Sequence, residues 1–320
     1  MLSNSTLQVP SVGSATSARA RVTPTRVEQD TTAVVVARLR RARAGLESFH
    51  TTFPKLRPAI AALRRVESRL TRPLRVAIVG EFNSGKSSLA NLLVGIDSVP
   101  TAIVSNTRIP TLLYHASVPE IFAVDVNGAK TTIDADNPLR ATNAVRLEVG
   151  LPAERLKAVE FIDFPGLADP RFEDCAADLG AHGIDAVLWC TVATQAWKES
   201  ERMAWSALSP RLHDRSILVV THRDLLHNAQ DEAKLLTRLR GDAGDEFRDI
   251  VMLSTSAGAE PPQIALPPDA KEAAREAGSL GTLEHTIDRL LDTIRQERGT
   301  AAIAATNRIA GRALARMAPT

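Results

Sequence analysis

The 320-residue chain has little of what disulfide scaffolds and membrane spans are made from. It has two cysteines, Cys175 and Cys190. Two thiols form no framework of the kind that staples small secreted domains, so a reducing, cytoplasmic compartment is expected. No run of about eighteen apolar residues is present. The richest stretch, IDAVLWCTVATQAW, carries Asp185 and is too short to span a bilayer. Aromatic residues make up 4% of the chain. The three tryptophans suggest packing rather than chemistry, with Trp189 in a strand-like run and Trp197 and Trp205 on an expected helix. The seven histidines show no metal-ligand spacing. Acids are missing from MLSNSTLQVPSVGSATSARARVTPTR at the start. That Ser-, Thr- and Arg-rich composition has no apolar signal core and no amphipathic helix, so residues 1–27 are expected to be a disordered tail.

What is present is ordinary for a globular protein: 44% hydrophobic and 24% charged residues, enough to bury a proper core. The net charge of +2 is unevenly spread. Residues 1–75 hold 14 Lys and Arg against 4 Asp and Glu, a surplus of +10, which leaves −8 for the remainder. Such asymmetry marks either an arm for anionic lipid or nucleic acid, or a basic helix packed on an acidic part of the same chain. The second reading is preferred.

Apolar spacing predicts a helix over 31–53, with Val35, Leu39, Leu46, Phe49 and Phe53 on one face, broken by Pro54 and Pro58. A second stripe follows at Ile60, Leu63, Val66 and Leu70. From 74 to about 257, strand-like runs (LRVAIV, VEFIDF, IDAVLWCTV, SILVVT, IVMLST) alternate with helical ones. That alternation predicts an α/β fold with a mostly parallel sheet. VDVNGAKTTI, with Asn127-Gly128 between β-prone residues, predicts an antiparallel hairpin. Residues 261–280 read as a Pro-rich loop and 281–320 as a C-terminal helix striped by Leu283, Ile287, Leu290 and Ile294. Leu39, Leu46 and Phe53 are expected to pack against Leu283, Ile287 and Leu290.

The chemistry is concentrated in GEFNSGKSS, residues 80–88. Gly80, Gly85, Lys86 and Ser87 satisfy the phosphate-loop spacing, between a strand-like run and a helix with Leu89, Leu92 and Leu93 at helical spacing. In that setting the loop amides of Asn83, Ser84, Gly85 and Ser88 and the helix N-terminus point at anionic oxygens. Lys86 would reach the β- and γ-phosphates, and Ser87 would give its hydroxyl to Mg²⁺. VEFIDFPGLADP then supplies Asp163, expected to hold Mg²⁺ through water, and Gly166, whose N–H can approach the γ-phosphate. SILVVTHRD ends in Thr221, His222 and Asp224. This looks like the T-K-x-D guanine reader, with Asp224 accepting the two guanine donors and His222 standing in for the lysine that packs on the base. MLSTSAG offers a backbone N–H to guanine O6 at Ser256 or Ala257. Of Thr101, Thr107 and Thr111, Thr107 is the best placed to complete Mg²⁺ coordination.

In this order GEFNSGKSSLANLLVG, VPTAIVSNTRIPT, DFPGL and THRD resemble the GTPase domain of bacterial dynamin-like proteins, over roughly residues 74–258. The resemblance implies a Ras-like G domain over 73–260, using GTP and Mg²⁺. It also implies flanking helices, 28–72 and 281–320, in a neck-like bundle, and self-association through the G domain. The family's helical stalk and membrane tip have no counterpart in this sequence. A separate stalk-bearing partner, or peripheral contact with an anionic membrane surface, is therefore expected. Leu167 stands where Ras-like enzymes carry a water-positioning glutamine. Asn83 matches the asparagine that helps hold K⁺ in potassium-activated GTPases, so K⁺ is a candidate cofactor and Lys86, Thr107 and Asn83 are the candidate catalytic residues. Two other readings compete: a slow GTP/GDP switch acting through a protein partner, and an Era-like GTPase on RNA or ribosomes. No RNA-binding module is visible, so nucleic acid is not expected.

Overall fold

A computed structural model describes residues 26–95, 109–133, 143–167, 179–180, 182–254 and 279–315. In chain order the principal elements are α1 (Arg26–Glu47), α2 (Arg57–Thr71), β1 (Leu74–Gly80), α3 (Lys86–Val94) and β2 (Thr111–His115). Next come β3 (Glu120–Asp125), β4 (Lys130–Thr132), β5 (Ala144–Leu151), β6 (Val159–Asp163) and β7 (Ala186–Val192). The last are α4 (Glu199–Ser206), α5 (Pro210–His213), β8 (Ser216–Thr221), α6 (Ala229–Ala243), β9 (Asp249–Met252) and α7 (Ser279–Ala315). The chain divides into two compact units, residues 68–301 and residues 1–67 with 302–320.

The larger unit is a mixed α/β domain on a nine-stranded sheet, ordered β4-β3-β5-β2-β6-β1-β7-β8-β9. From β6 to β9 every pairing is parallel. β2 joins β6 antiparallel, and the β5, β3 and β4 extension continues beyond it. The central strands read as unbroken apolar runs because both their faces are buried. In β1, Leu74, Val76 and Ile78 enter one core, with Leu89 and Leu93 of α3 and Leu283, Ile287 and Leu290 of α7. Ala77 and Val79 enter the other, with Trp205 of α4 and Leu239 of α6. The predicted hairpin forms: Asp125 Oδ1 accepts from Asn127 N and Ala129 N, both at 2.8 Å, and Gly128 turns at φ 82. Trp197 is not helical. It precedes α4 at φ 61, its amide donating to the Thr191 hydroxyl at 3.0 Å.

The smaller unit gathers Leu39 and Leu46 of α1, Leu56, Ile60 and Leu63, and Ala313 of α7, with Ile309 against them. Here the structure departs from the sequence reading three times. α1 ends at Glu47, leaving Phe49 and Phe53 exposed, and Pro58 starts α2 rather than breaking a helix, as proline can in a first turn. Leu39 and Leu46 also meet Ile309 and Ala313, whereas Leu283, Ile287 and Leu290 belong to the core under the sheet. At 37 residues, α7 is about 55 Å long, so one stripe serves two cores. Some basic residues of this unit are paired within it: Arg40 and Arg43 with Glu67, and Arg64 with Glu47.

Candidate functional site

The site lies at the C-terminal ends of β1, β6 and β8, where open α/β sheets bind ligands. β1 runs into the loop at Gly80, where a Cβ would come within 2.3 Å of the Cys190 carbonyl oxygen. Only glycine lets the strand end this close to β7. Asn83, exposed at φ 60, and Gly85, at φ 78, wind the loop back on itself, and Lys86 opens α3. Ser88 is exposed on the first turn of α3. Lys86 is buried to 8% exposure, and its Nζ donates to the Glu81 carbonyl at 2.7 Å. Burial holds its pKa below the ordinary lysine range. The Ser84 hydroxyl is buried without a partner, while the Ser84 carbonyl accepts from the Thr221 hydroxyl at 2.9 Å.

Asp163 ends β6, in register with Ile78 of β1, and is fully buried. Its Oδ2 accepts from the Ser87 hydroxyl at 2.7 Å, and its Oδ1 is buried with no hydrogen-bond partner. Burial pushes its pKa up to about 6, against the opposing pull of the Ser87 hydrogen bond and the Lys86 charge. A buried carboxylate with an unused oxygen beside a serine hydroxyl is a hard-oxygen donor set, and such a set fits Mg²⁺ shared with phosphate oxygens and water. Gly166 packs so close to the loop that a Cβ would meet Phe82 N at 2.9 Å. The Leu167 amide donates to the Gly80 carbonyl at 3.2 Å, and its side chain packs against the tryptophan-side core.

At the end of β8, Thr221 is fully buried, and its hydroxyl also lies 3.1 Å from the Thr191 carbonyl. His222 follows at φ 55, with Nδ1 3.0 Å from the Thr221 hydroxyl oxygen. The single Thr221 proton is engaged by carbonyls, so His222 Nδ1 is the donor there. Asp224 accepts from the Ser254 hydroxyl at 2.6 Å, and Arg223 bonds Glu232 at 2.9 Å, which holds the turn. Thr111 is fully buried in β2, opposite Asp163. Thr101, Thr107, Ser256 and Ala257 lie outside the described residues, as does Cys175.

Three contacts at the site were not read from the sequence: Ser254 on Asp224, and Lys198 and Ser200 on Glu81. One signal was available. An acid inside a loop that receives anions needs a donor elsewhere in the chain.

A glycine-hinged phosphate loop, a buried aspartate beside its serine and a Thr-His-Arg-Asp turn, on this sheet, define a G domain. Within it, residues 76–138 match the Dynamin family model. Dynamin-like protein 2 of Campylobacter jejuni is 27% identical over 201 residues, covering 60% of this chain and 32% of that protein. Isoniazid-induced protein IniC of Mycobacterium tuberculosis is 36% identical over 113 residues, covering 32% of this chain and 23% of that one. Among solved structures, a bacterial dynamin pair aligns with a TM-score of 0.56 at 21% identity, over 76% of this chain and 39% of the other. The LeoA bacterial dynamin GTPase aligns at 0.53 and 14% identity, over 89% and 48%. The aligned region is thus at most about a third of these two relatives, and the structural likeness establishes the fold. GTPase activity is a property of this family.

Proposed function

We propose that the chain binds GTP with Mg²⁺ and hydrolyses it to GDP and phosphate, associating with a second copy through its G domain. The observation that carries this reading is the Ser87–Asp163 pair under the phosphate loop, with an unpartnered buried carboxylate oxygen and Lys86 nearby. Ser87 and Asp163 would hold Mg²⁺, with Thr107 as the third ligand, and the metal supplies positive charge to the phosphates. Lys86 would leave the Glu81 carbonyl for the β- and γ-phosphates, and Gly166 would present its N–H to the γ-phosphate. Asp224 would read the guanine donors beside the His222 ring, and a backbone N–H at Ser256 or Ala257 would serve guanine O6. Asn83, exposed on the loop, is the candidate K⁺ ligand that adds charge where no loop arginine does.

Leu167 favours a second reading of the same site. Its side chain cannot orient water, so turnover depends on a second copy or another protein, and an isolated chain behaves as a slow switch. The bacterial dynamin pair is described as oligomerised, sensing and tethering membranes at long range. By analogy, the chain works in the cytoplasm at an anionic membrane surface, or with a separate stalk-bearing partner.

The test is steady-state phosphate release with GTP, with ATP as competitor, at several protein concentrations. Turnover per chain is expected to rise with concentration and to fall when K⁺ is replaced by a large organic cation. Lys86→Ala should lose nucleotide binding, at least about a hundredfold. Near-normal turnover in that variant, or equal competition by ATP, overturns the assignment.

A further inference from the structure

Glu81 places a carboxylate in a loop that receives anions, and the fold answers it from 117 residues away. Lys198 Nζ donates to Oε2 at 2.7 Å, and the Ser200 hydroxyl donates to Oε1 at 2.6 Å. Both oxygens are engaged. These hydrogen bonds, Lys198 first and Ser200 second, hold the Glu81 carboxyl below the usual carboxylate range.

The donors sit where β7 gives way to α4, on a turn that is itself tightly held. Thr191, buried near the end of β7, accepts from Trp197 N at 3.0 Å and donates to Glu201 Oε2 at 2.9 Å. The same Glu201 oxygen accepts from Lys198 N at 2.9 Å, and Glu201 is 1% exposed. Trp197 is kept at φ 61, which non-glycine residues seldom adopt, by the Thr191 bond and by its neighbours Phe247, at 5.0 Å between centroids, and Trp189, at 6.3 Å. The Lys198 ammonium is thereby aimed at the phosphate loop.

The contact reaches the loop backbone. The Glu81 carbonyl receives Lys86 Nζ at 2.7 Å, and the next residue, Phe82, is the one Gly166 packs against. We propose that Lys198, helped by Ser200, is a positioning residue for the phosphate loop, holding Glu81 so that the loop keeps a shape ready for nucleotide. The inference rests on residues 80–88 being the nucleotide phosphate site. Without the clamp, a free Glu81 carboxylate repels incoming phosphates, and the loop must be ordered at the moment of binding. Lys198 acts on affinity through Glu81.

The experiment is titration of the full chain with a fluorescent GDP analogue and Mg²⁺. It compares the unmodified chain, Lys198→Met, Lys198→Arg, Ser200→Ala, Glu81→Gln and the Glu81→Gln/Lys198→Met pair. Lys198→Met is expected to raise Kd about tenfold, with KM for GTP rising more than kcat falls. Lys198→Arg should stay within about threefold, and Ser200→Ala should lose about threefold. In the Glu81→Gln background, where no carboxylate is left to restrain, Lys198→Met should cost less than about twofold. Emission of the buried tryptophans checks that each variant folds. Affinity unchanged in both Lys198→Met and Ser200→Ala, or an equal loss with and without Glu81, overturns the inference alone. An unmodified chain that binds no guanine nucleotide overturns the site reading and this inference together.

Discussion

Among the described residues, two aspartates are buried in the G domain at opposite edges of the sheet, at the ends of the two strands that flank β1, and their surroundings differ. Asp185, 2% exposed, lies just before β7 at the N-terminal edge of the sheet. It accepts from Arg72 at 2.9 and 3.2 Å and from Arg75 N at 2.9 Å, and it pairs with Arg298. Asp163, fully buried at the C-terminal edge of β6, has the Ser87 hydroxyl on one oxygen and no hydrogen-bond partner on the other. Two guanidiniums neutralise the first, whereas the second is left with charge to give. A carboxylate whose fold has already satisfied it holds structure together, and one left short is suited to a cation that arrives later.

Exchanging each carboxylate for an amide should separate the two roles. Asp185→Asn strips the charge partner from Arg72 and Arg298 and should lower unfolding free energy by about 2–3 kcal/mol, less than for a fully enclosed pair because Arg72 is partly exposed. Asp163→Asn should leave the nucleotide-free protein as stable or more so, while Mg²⁺-dependent GTP binding weakens at least about tenfold. Urea unfolding without nucleotide, alongside nucleotide titration with and without Mg²⁺, reads both. Equal destabilisation by the two substitutions would erase the distinction.

The sequence announces Asp163 and not Asp185 as functional because the former sits in a local pattern, an apolar strand closed by Asp-Phe-Pro-Gly. The same holds for Gly80, Lys86 and Ser87, whose proposed roles follow from strand, loop and helix in succession. Contacts across the chain leave no such trace. Lys198 reads as a surface charge before α4, and only the fold brings it to Glu81. Thr221 reads as part of a base-binding turn, yet its hydroxyl serves the Ser84 carbonyl, 137 residues away. The helical stripes name the buried face but not its partner. Leu283 and Ile309 share one helix and one periodicity, yet they enter different cores. α1 stops at Glu47 even though its apolar spacing continues to Phe53, because a pattern of residues does not specify where a turn ends it.

A third carboxylate sharpens the comparison. Asp224, on the same edge as Asp163, is more exposed and accepts from the Ser254 hydroxyl at 2.6 Å. If it reads guanine donors, Asp224→Asn should weaken GTP binding about tenfold and admit xanthosine nucleotides, whose extra carbonyl suits an amide donor. Stability should change by less than about 0.5 kcal/mol, as for an exposed site. Competition titrations with GTP and XTP decide it, and an unchanged preference for GTP would remove Asp224 from the base site.

The smallest effect is the titration of Asp163 itself. In the nucleotide-free fold its carboxyl keeps its proton up to about pH 6, whereas in the unfolded chain an aspartate loses it near about pH 4. Between those values the folded state binds more protons than the unfolded one. Its stability therefore falls as pH rises through that window, and the cost of burying the charge stays in full above it. Glu201 and Asp288, also pushed up by burial, slope the same way, while Glu81 and Glu148, held low by their partners, slope the opposite way. The informative quantity is thus the difference between the unmodified protein and Asp163→Asn, measured as urea midpoints at half-unit steps from pH 4 to 7. The amide variant should gain on the unmodified chain as pH rises and hold a constant lead above about pH 6. Midpoint curves that run parallel across the whole range would mean that Asp163 titrates alike in the folded and unfolded chains, its burial being offset by its surroundings.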